Sequence, residues 1–212
     1  MGIGLAFALA AGASQADEVV IAALGDSLTQ GYGLSVEQGF VPQLQAWLDG
    51  QGAEVRLINA GVSGDTTAGG LARVGWTLTP DVEGIIVALG GNDLLRGLDP
   101  VQARGNIEGI LQASAAAEVE VLLVGMQAPG NFGAAYKAAF DALYPELAEA
   151  YGSVFLESFF AGVMKDGVLP PPADLRAFLQ ADGIHPNAEG VQRIVEGFGP
   201  KVLTLIAQIE GG

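Results

Sequence analysis

Cysteine is absent from the 212 residues. That removes disulfides, thiolate zinc sites and a cysteine nucleophile together. Histidine occurs once, as His185, so a zinc site built on two or three imidazoles of one chain is excluded. No apolar run reaches the ~20 residues that a membrane span requires. Cations are scarce: 9 Lys and Arg stand against 24 Asp and Glu, for a net charge of -15. Affinity for nucleic-acid backbones and for anionic lipid comes mainly from Lys and Arg, so neither is an expected partner. No block of like charge occurs, and the acidity reads as a solvated surface. Charged residues make up only 16% and hydrophobic residues 50%, which excludes disorder as the general state. A chain of this length builds one domain with a sizeable core.

What is present begins with an uncharged segment. Met1 to Ala16 carries no charged side chain, Ile3 to Ala11 is apolar, and Ser14 and Ala16 put small residues where a signal peptidase cuts. No Lys or Arg precedes the apolar stretch. The expected organisation is a leader over 1–16 and a single domain over 17–212, exported to the periplasm or secreted.

The remainder alternates. Val19 to Leu24 is a continuous apolar run closed by Gly25, as for a strand buried on both faces. Phe40 to Asp49 predicts a helix that tolerates Pro42 in its first turn. A strand follows over Glu54–Ala60, a short helix over Thr67–Trp76 and a second buried strand over Gly84–Leu89. Asp99-Pro100 starts a helix over Val101–Ala116. Val119–Val124 is a strand, Ala134–Ala150 a helix and Val154–Leu156 a short strand. Asn187–Ile209 is the closing helix, with a bend expected at Gly197–Pro200. Pro170-Pro171-Pro172 marks a stiff loop. Repeated β-α alternation implies a parallel sheet with helices on both faces, the α/β class. Ligands of such sheets bind beyond the carboxyl ends of the strands. The loops to watch are therefore 25–33, 61–70, 90–97 and 127–133.

Gly-rich loops after strands first suggest phosphate binding. Gly-x-Gly-x-x-Gly does not occur, and none of Lys137, Lys165 and Lys201 completes a Walker pattern. A nucleophile fits better. Gly25-Asp26-Ser27-Leu28-Thr29 sets a serine directly after the first strand, although a serine there is by itself most often a helix cap. The string is not the Gly-x-Ser-x-Gly elbow of α/β-hydrolases. Asp182-Gly183-Ile184-His185 lets a carboxylate fold back onto imidazole Nδ1, leaving Nε2 as a base. Alone, that spacing also suits a surface loop. Gly61-Val62-Ser63-Gly64-Asp65 offers open backbone donors, and Gly90-Gly91-Asn92-Asp93 offers an amide, both suited to a developing oxyanion. Asp26 and Asp93 read as loop-bracing acceptors. The joint occurrence of these loops in one α/β chain is the signal.

These blocks resemble the SGNH, or GDSL-type, hydrolases, matched in order by Ser27, Gly64, Asn92 and His185, with Asp182 ahead of the histidine. Within that family the likeness is greatest to the bacterial arylesterase branch, which includes the periplasmic thioesterase I, also described as protease I and lysophospholipase. Supporting strings are Ser63-Gly64-Asp65-Thr66-Thr67, Gly70-Leu71-Ala72-Arg73, Leu94-Leu95-Arg96-Gly97 and Tyr144-Pro145-Glu146-Leu147. The likeness implies a three-layer α/β/α sandwich, flavodoxin-like, with a mostly parallel five-stranded sheet. It implies a serine esterase or thioesterase with Ser27, His185 and Asp182 as triad. Ser27, Gly64 and Asn92 form the oxyanion hole. No cofactor or metal is expected, the partner is a small ester or thioester, and the domain acts as a monomer. One departure is Gln127–Gly133, where the branch has a bulkier, Arg-containing loop that shapes acyl binding. A carbohydrate acetylesterase is the rival within the class, weakened by the presence of only Trp47 and Trp76 as tryptophans; a non-catalytic binding module is the rival outside it. Leu28, Leu94, Leu95, Phe132 and Leu169 are either buried or groove-lining. As the only imidazole, His185 is expected to own any titration of activity near neutral pH.

Overall fold

The computed structural model describes residues 18–212. The proposed leader lies outside the described residues. β1 (Val19–Gly25) is buried along its whole length, and its apolar run has helices above and below it. It leads into the single-turn α1 (Ser27–Gln30), then α2 (Phe40–Gly50) and β2 (Val55–Gly61). α3 (Thr67–Thr77), β3 (Gly84–Ala88), α4 (Gly91–Arg96), α5 (Pro100–Ala116) and β4 (Glu120–Val124) follow. The chain ends with α6 (Ala134–Tyr151), β5 (Val154–Leu156), the one-turn α7 (Pro172–Leu175) and α8 (Ala188–Gly211).

All strand pairs are parallel, and the order is β2-β1-β3-β4-β5. This is the doubly wound, flavodoxin-like order, whose switch point lies between β1 and β3. α2 and α8 pack together on one face, and α3, α5 and α6 on the other, giving three layers. Phe40, Phe159 and Phe198 meet at ring distances of 4.9 to 5.7 Å and fill the α2/α8 side. Phe140 and Tyr144 of α6 are fully buried on the far side.

The expected elements are present to within about two residues at each end. Asp99 caps α5 by accepting from Val101 N–H, with Pro100 at its first position, as the sequence signals. α8 is continuous through Gly197–Pro200, with Pro200 inside the helix. Val195, Phe198, Val202 and Leu205 are buried on its inner face, and that packing outweighs the one backbone bond Pro200 cannot make. α1 and α4 lie in stretches that the sequence alone presents as loops. At four and six residues they are too short to show a periodicity.

Candidate active site

β1 and β3 end side by side, and the chain leaves both through short helices. Asp26 caps α1 by accepting from Leu28 N–H at 3.0 Å, which sets Ser27 at the first helical position. The Ser27 hydroxyl donates to His185 Nε2 at 2.8 Å, and His185 Nδ1–H donates to Asp182 Oδ2 at 2.7 Å. The tautomer follows from the carboxylate, which can only accept. Asp182 Oδ1 also accepts from the backbone N–H groups of Ile184 and His185, at 2.9 and 3.0 Å. The His185 side-chain bond first, and these two N–H groups next, hold the Asp182 carboxyl down at about 2. It is therefore ionised at neutral pH. Asn187 caps α8 just beyond, through Gly190 N–H, and so fixes the loop that carries the histidine.

Across the sheet, Gly64 sits in the Val62–Asp65 turn with φ 85°, a conformation that favours glycine. Arg96 Nη2 donates to the Gly64 carbonyl at 2.9 Å. Arg73 ties the strand ends together, donating to Asp65 at 2.6 Å, Ala60 O at 2.7 Å and Gly25 O at 2.9 Å. Asn92 Nδ2 donates to Asp65 O at 2.9 Å and to Asp26 Oδ2 at 3.2 Å. Its amide hydrogens are thus both engaged, and an incoming oxyanion must share or displace the longer bond. Neither the Ser27 nor the Gly64 backbone N–H donates to a group among the described residues. Asp93 accepts twice from Thr67, at its N–H and its hydroxyl, and so braces α3 against α4. Tyr144 donates to Leu89 O at 3.0 Å, and the bare Gly90 leaves room for its hydroxyl.

Asp26 is 2% exposed, and desolvation pushes its carboxyl up from 3.8 to about 6 against the opposing bonds from Leu28 and Asn92. The groups that face it are His185, which lowers the value, and Asp65, which raises it. Asp26 therefore stands beside His185 as a candidate for any titration of activity below neutrality. Burial, invisible in the sequence, is the cause. Between pH 3.8 and about 6 the folded chain keeps a proton that the unfolded chain has lost, so stability falls as pH rises through this window. Asp26→Asn removes this dependence. From pH 4.5 to 7.5 its stability relative to the parent should improve by about 2 kcal/mol, at ~1.4 kcal/mol per pKa unit. Denaturant unfolding of both proteins at the two pH values checks this, and an unchanged difference would refute the buried-carboxylate account.

A cavity of about 490 Å³ opens at these groups. All four watched loops reach it, and so does the chain after β5 through Ser158, Phe160, Leu169, Ile184 and His185. Leu28, Leu94, Leu95, Phe132 and Leu169 all line it; the first two are buried and the other three form its exposed rim. Tyr32, not singled out from the sequence, lies 4.6 Å from the His185 ring between centroids. Gln127, Pro129, Asn131 and Phe132 of the divergent loop form one wall, without a cation. Trp47 and Trp76 line none of it. Among the described residues no group of three His, Asp or Glu side chains is placed to hold a metal ion.

A parallel sheet with a Ser–His–Asp line of hydrogen bonds at its carboxyl edge has the layout of an acyl-transfer hydrolase. Residues 23–193 match the model of the GDSL-like lipase/acylhydrolase family. Esterase TesA of Pseudomonas aeruginosa is 36% identical over 91% of this chain and 92% of its own. The thioesterase 1/protease 1/lysophospholipase L1 of Escherichia coli is 35% identical over 92% of this chain and 87% of its own. The crystal structure of AlinE4, an SGNH-hydrolase family esterase, superposes with a TM-score of 0.72 at 43% identity, covering 90% and 98% of the two chains. The chain belongs to the GDSL-like lipase/acylhydrolase family, and it is a carboxylic ester hydrolase.

Proposed function

We propose that the protein hydrolyses acyl and aryl esters and acyl thioesters with Ser27 as nucleophile, His185 as general base and acid, and Asp182 as the group that orients the imidazole. The observation that carries this reading is the unbroken line Ser27–His185–Asp182 at 2.8 and 2.7 Å on the cavity wall. Ser27 Oγ attacks the carbonyl carbon while its proton passes to His185 Nε2. Asp182 stabilises the imidazolium and keeps its own charge. The carbonyl oxygen becomes negative within reach of the Ser27 N–H, the Gly64 N–H and the Asn92 amide. Collapse expels the alcohol or thiol, which takes the proton from Nε2. Water then repeats the sequence on the acyl-enzyme and returns Ser27. Leu28, Leu94, Met126 and Phe160 supply an apolar wall for the acyl part.

The testing experiment is a panel of p-nitrophenyl esters and uncharged thioesters of increasing acyl length, run beside Ser27→Ala. Its pH dependence should show kcat/KM rising as the imidazole loses its proton. Asp26→Asn should leave that rise in place and remove any second limb. A still-active His185→Ala variant with the parental pH profile would sink the base assignment.

We further propose that Met1–Ala16 is a leader and that a monomer of the remaining domain works in the periplasm or outside the cell. No helix among the described residues is long and apolar enough to cross a membrane. Intact-mass measurement of the exported protein should give a chain starting at Asp17. An active exported product still carrying Met1 counts against the leader.

A further inference from the structure

We infer, on the hydrolase reading above, that Arg73 is a positioning residue for the reaction: its guanidinium holds together the three segments that carry the oxyanion donors, without touching the reacting atoms. Arg73 lies in α3, a helix that contributes no residue to the cavity wall. Its side chain is 20% exposed, so it is not a solvated surface cation. Each of its three nitrogens serves a different segment. Nε donates to Asp65 Oδ2 at 2.6 Å, Nη1 to the Ala60 carbonyl at 2.7 Å and Nη2 to the Gly25 carbonyl at 2.9 Å. A guanidinium is a rigid planar fork, so three bonds from one such group fix three places in the chain relative to each other.

Those places adjoin the groups proposed to act. Gly25 ends β1 just ahead of Asp26 and Ser27, so its carbonyl fixes where the strand hands over to the nucleophile. Ala60 lies at the end of β2, next to Gly61, which α1 approaches so closely that a Cβ there would come 2.4 Å from Gln30 N. Asp65 follows Gly64, and its own carbonyl accepts from Asn92 Nδ2 at 2.9 Å. One side chain thereby reaches Ser27 through Gly25, Gly64 through its chain neighbour, and Asn92 through the Asp65 carbonyl. Other bonds at this corner do less. Val62 N–H donates to Gly25 O at 3.0 Å, and the exposed Arg96 holds the Gly64 carbonyl. Neither touches the Asp65 carboxylate, whose one hydrogen-bond donor among the described residues is Arg73. Without the guanidinium the Val62–Asp65 turn stays closed, but the three donors lose their common reference. A chain in that state folds and binds ester, and stabilises the oxyanion poorly.

The experiment is steady-state kinetics on a p-nitrophenyl ester, expressed per folded molecule, for Arg73→Lys and Arg73→Ala, with Arg104→Lys as the control. Lysine keeps the charge and can serve Asp65, but its single nitrogen cannot reproduce three bonds to three segments. Arg73→Lys should lower kcat by about 10- to 100-fold, the scale of an ångström-sized misplacement, and leave KM within a few-fold. Arg73→Ala should lose at least as much. Millimolar guanidinium should restore part of its kcat, and an equal concentration of NaCl should not. Arg104 pairs with Glu146 at 2.6 Å and lines none of the cavity, so lysine there should leave kcat unchanged. Parental kcat per folded molecule in Arg73→Lys would overturn the inference. So would a rise in KM at constant kcat, or guanidinium that raises the melting temperature of Arg73→Ala without its kcat. If neither variant folds, Arg73 is a stability residue and the inference falls as well. Hydrolysis that survives Ser27→Ala undiminished would instead defeat the hydrolase reading, whatever the Arg73 variants do.

Discussion

Ser27→Ala is expected to lower kcat by about four to six orders of magnitude and to leave the fold in place. The size follows from the removed atom: on the proposed mechanism Ser27 Oγ is the one the His185 Nε2 bond prepares for attack, and among the described residues no other hydroxyl is bonded to that nitrogen. Stability is spared because the cap of α1 is the Asp26 carboxylate, not the serine hydroxyl. The change in unfolding free energy should stay within about 1 kcal/mol, as for substitutions that remove neither a cap nor core volume. KM should move by no more than a few-fold, since the acyl wall and the oxyanion donors remain. His185→Ala should cost nearly as much, and the double variant little more than either single one, because the two groups act as one unit. Steady-state kinetics on a p-nitrophenyl ester, beside thermal unfolding, decides it. A Ser27→Ala protein with more than about one hundredth of parental kcat would point to another nucleophile.

The strands and the candidate triad were legible for different reasons. β1, β3 and β4 are buried on both faces, so their apolar runs stand out without any knowledge of partners. Asp182 and His185 are three apart, and their bond is a local event that spacing alone suggests. Ser27 was legible only as a residue after a strand, since its partner lies 158 positions away. What stayed hidden depends wholly on such distant pairs. Arg73 reaches the carbonyl of Gly25, 48 positions back, and Tyr144 holds the carbonyl of Leu89, 55 positions back. Both residues stood in strings that marked the family likeness, yet neither showed its task. The chain after β5 was hardest, because turns and one-turn helices carry no periodicity, although Ser158, Phe160 and Leu169 line the cavity. From the sequence Asp26 reads as a bracing acceptor. It is one through Oδ1, but its Oδ2 accepts from the candidate oxyanion donor in a dry environment.

That bond sharpens what Asn92 should do. Asn92→Ala is expected to lower kcat by about 100- to 1000-fold, or roughly 3–4 kcal/mol, while KM stays within a few-fold. The amide is asked to hold an oxygen that becomes negative only as Ser27 attacks, and an interaction made in the transition state appears in kcat. The competing account is that Asn92 only braces the loops, through its bonds to Asp65 O and Asp26 Oδ2. Both accounts predict some loss of stability, so melting temperature alone does not separate them. They differ in kcat per folded molecule, which bracing leaves near normal. They agree on Asp26: without the Asn92 amide its carboxyl keeps only the Leu28 N–H, one of the bonds that holds the value down, so its titration should move further upward. Asn92→Asp should be at least as harmful as Asn92→Ala. It would set one carboxylate against another across the former 3.2 Å contact and turn a donor toward the oxyanion into a repelling charge. Kinetics corrected for folded fraction, measured for both variants above pH 7, therefore gives the decision. Parental kcat per folded molecule in Asn92→Ala would leave the Ser27 and Gly64 N–H groups as the whole oxyanion hole and reduce Asn92 to a brace.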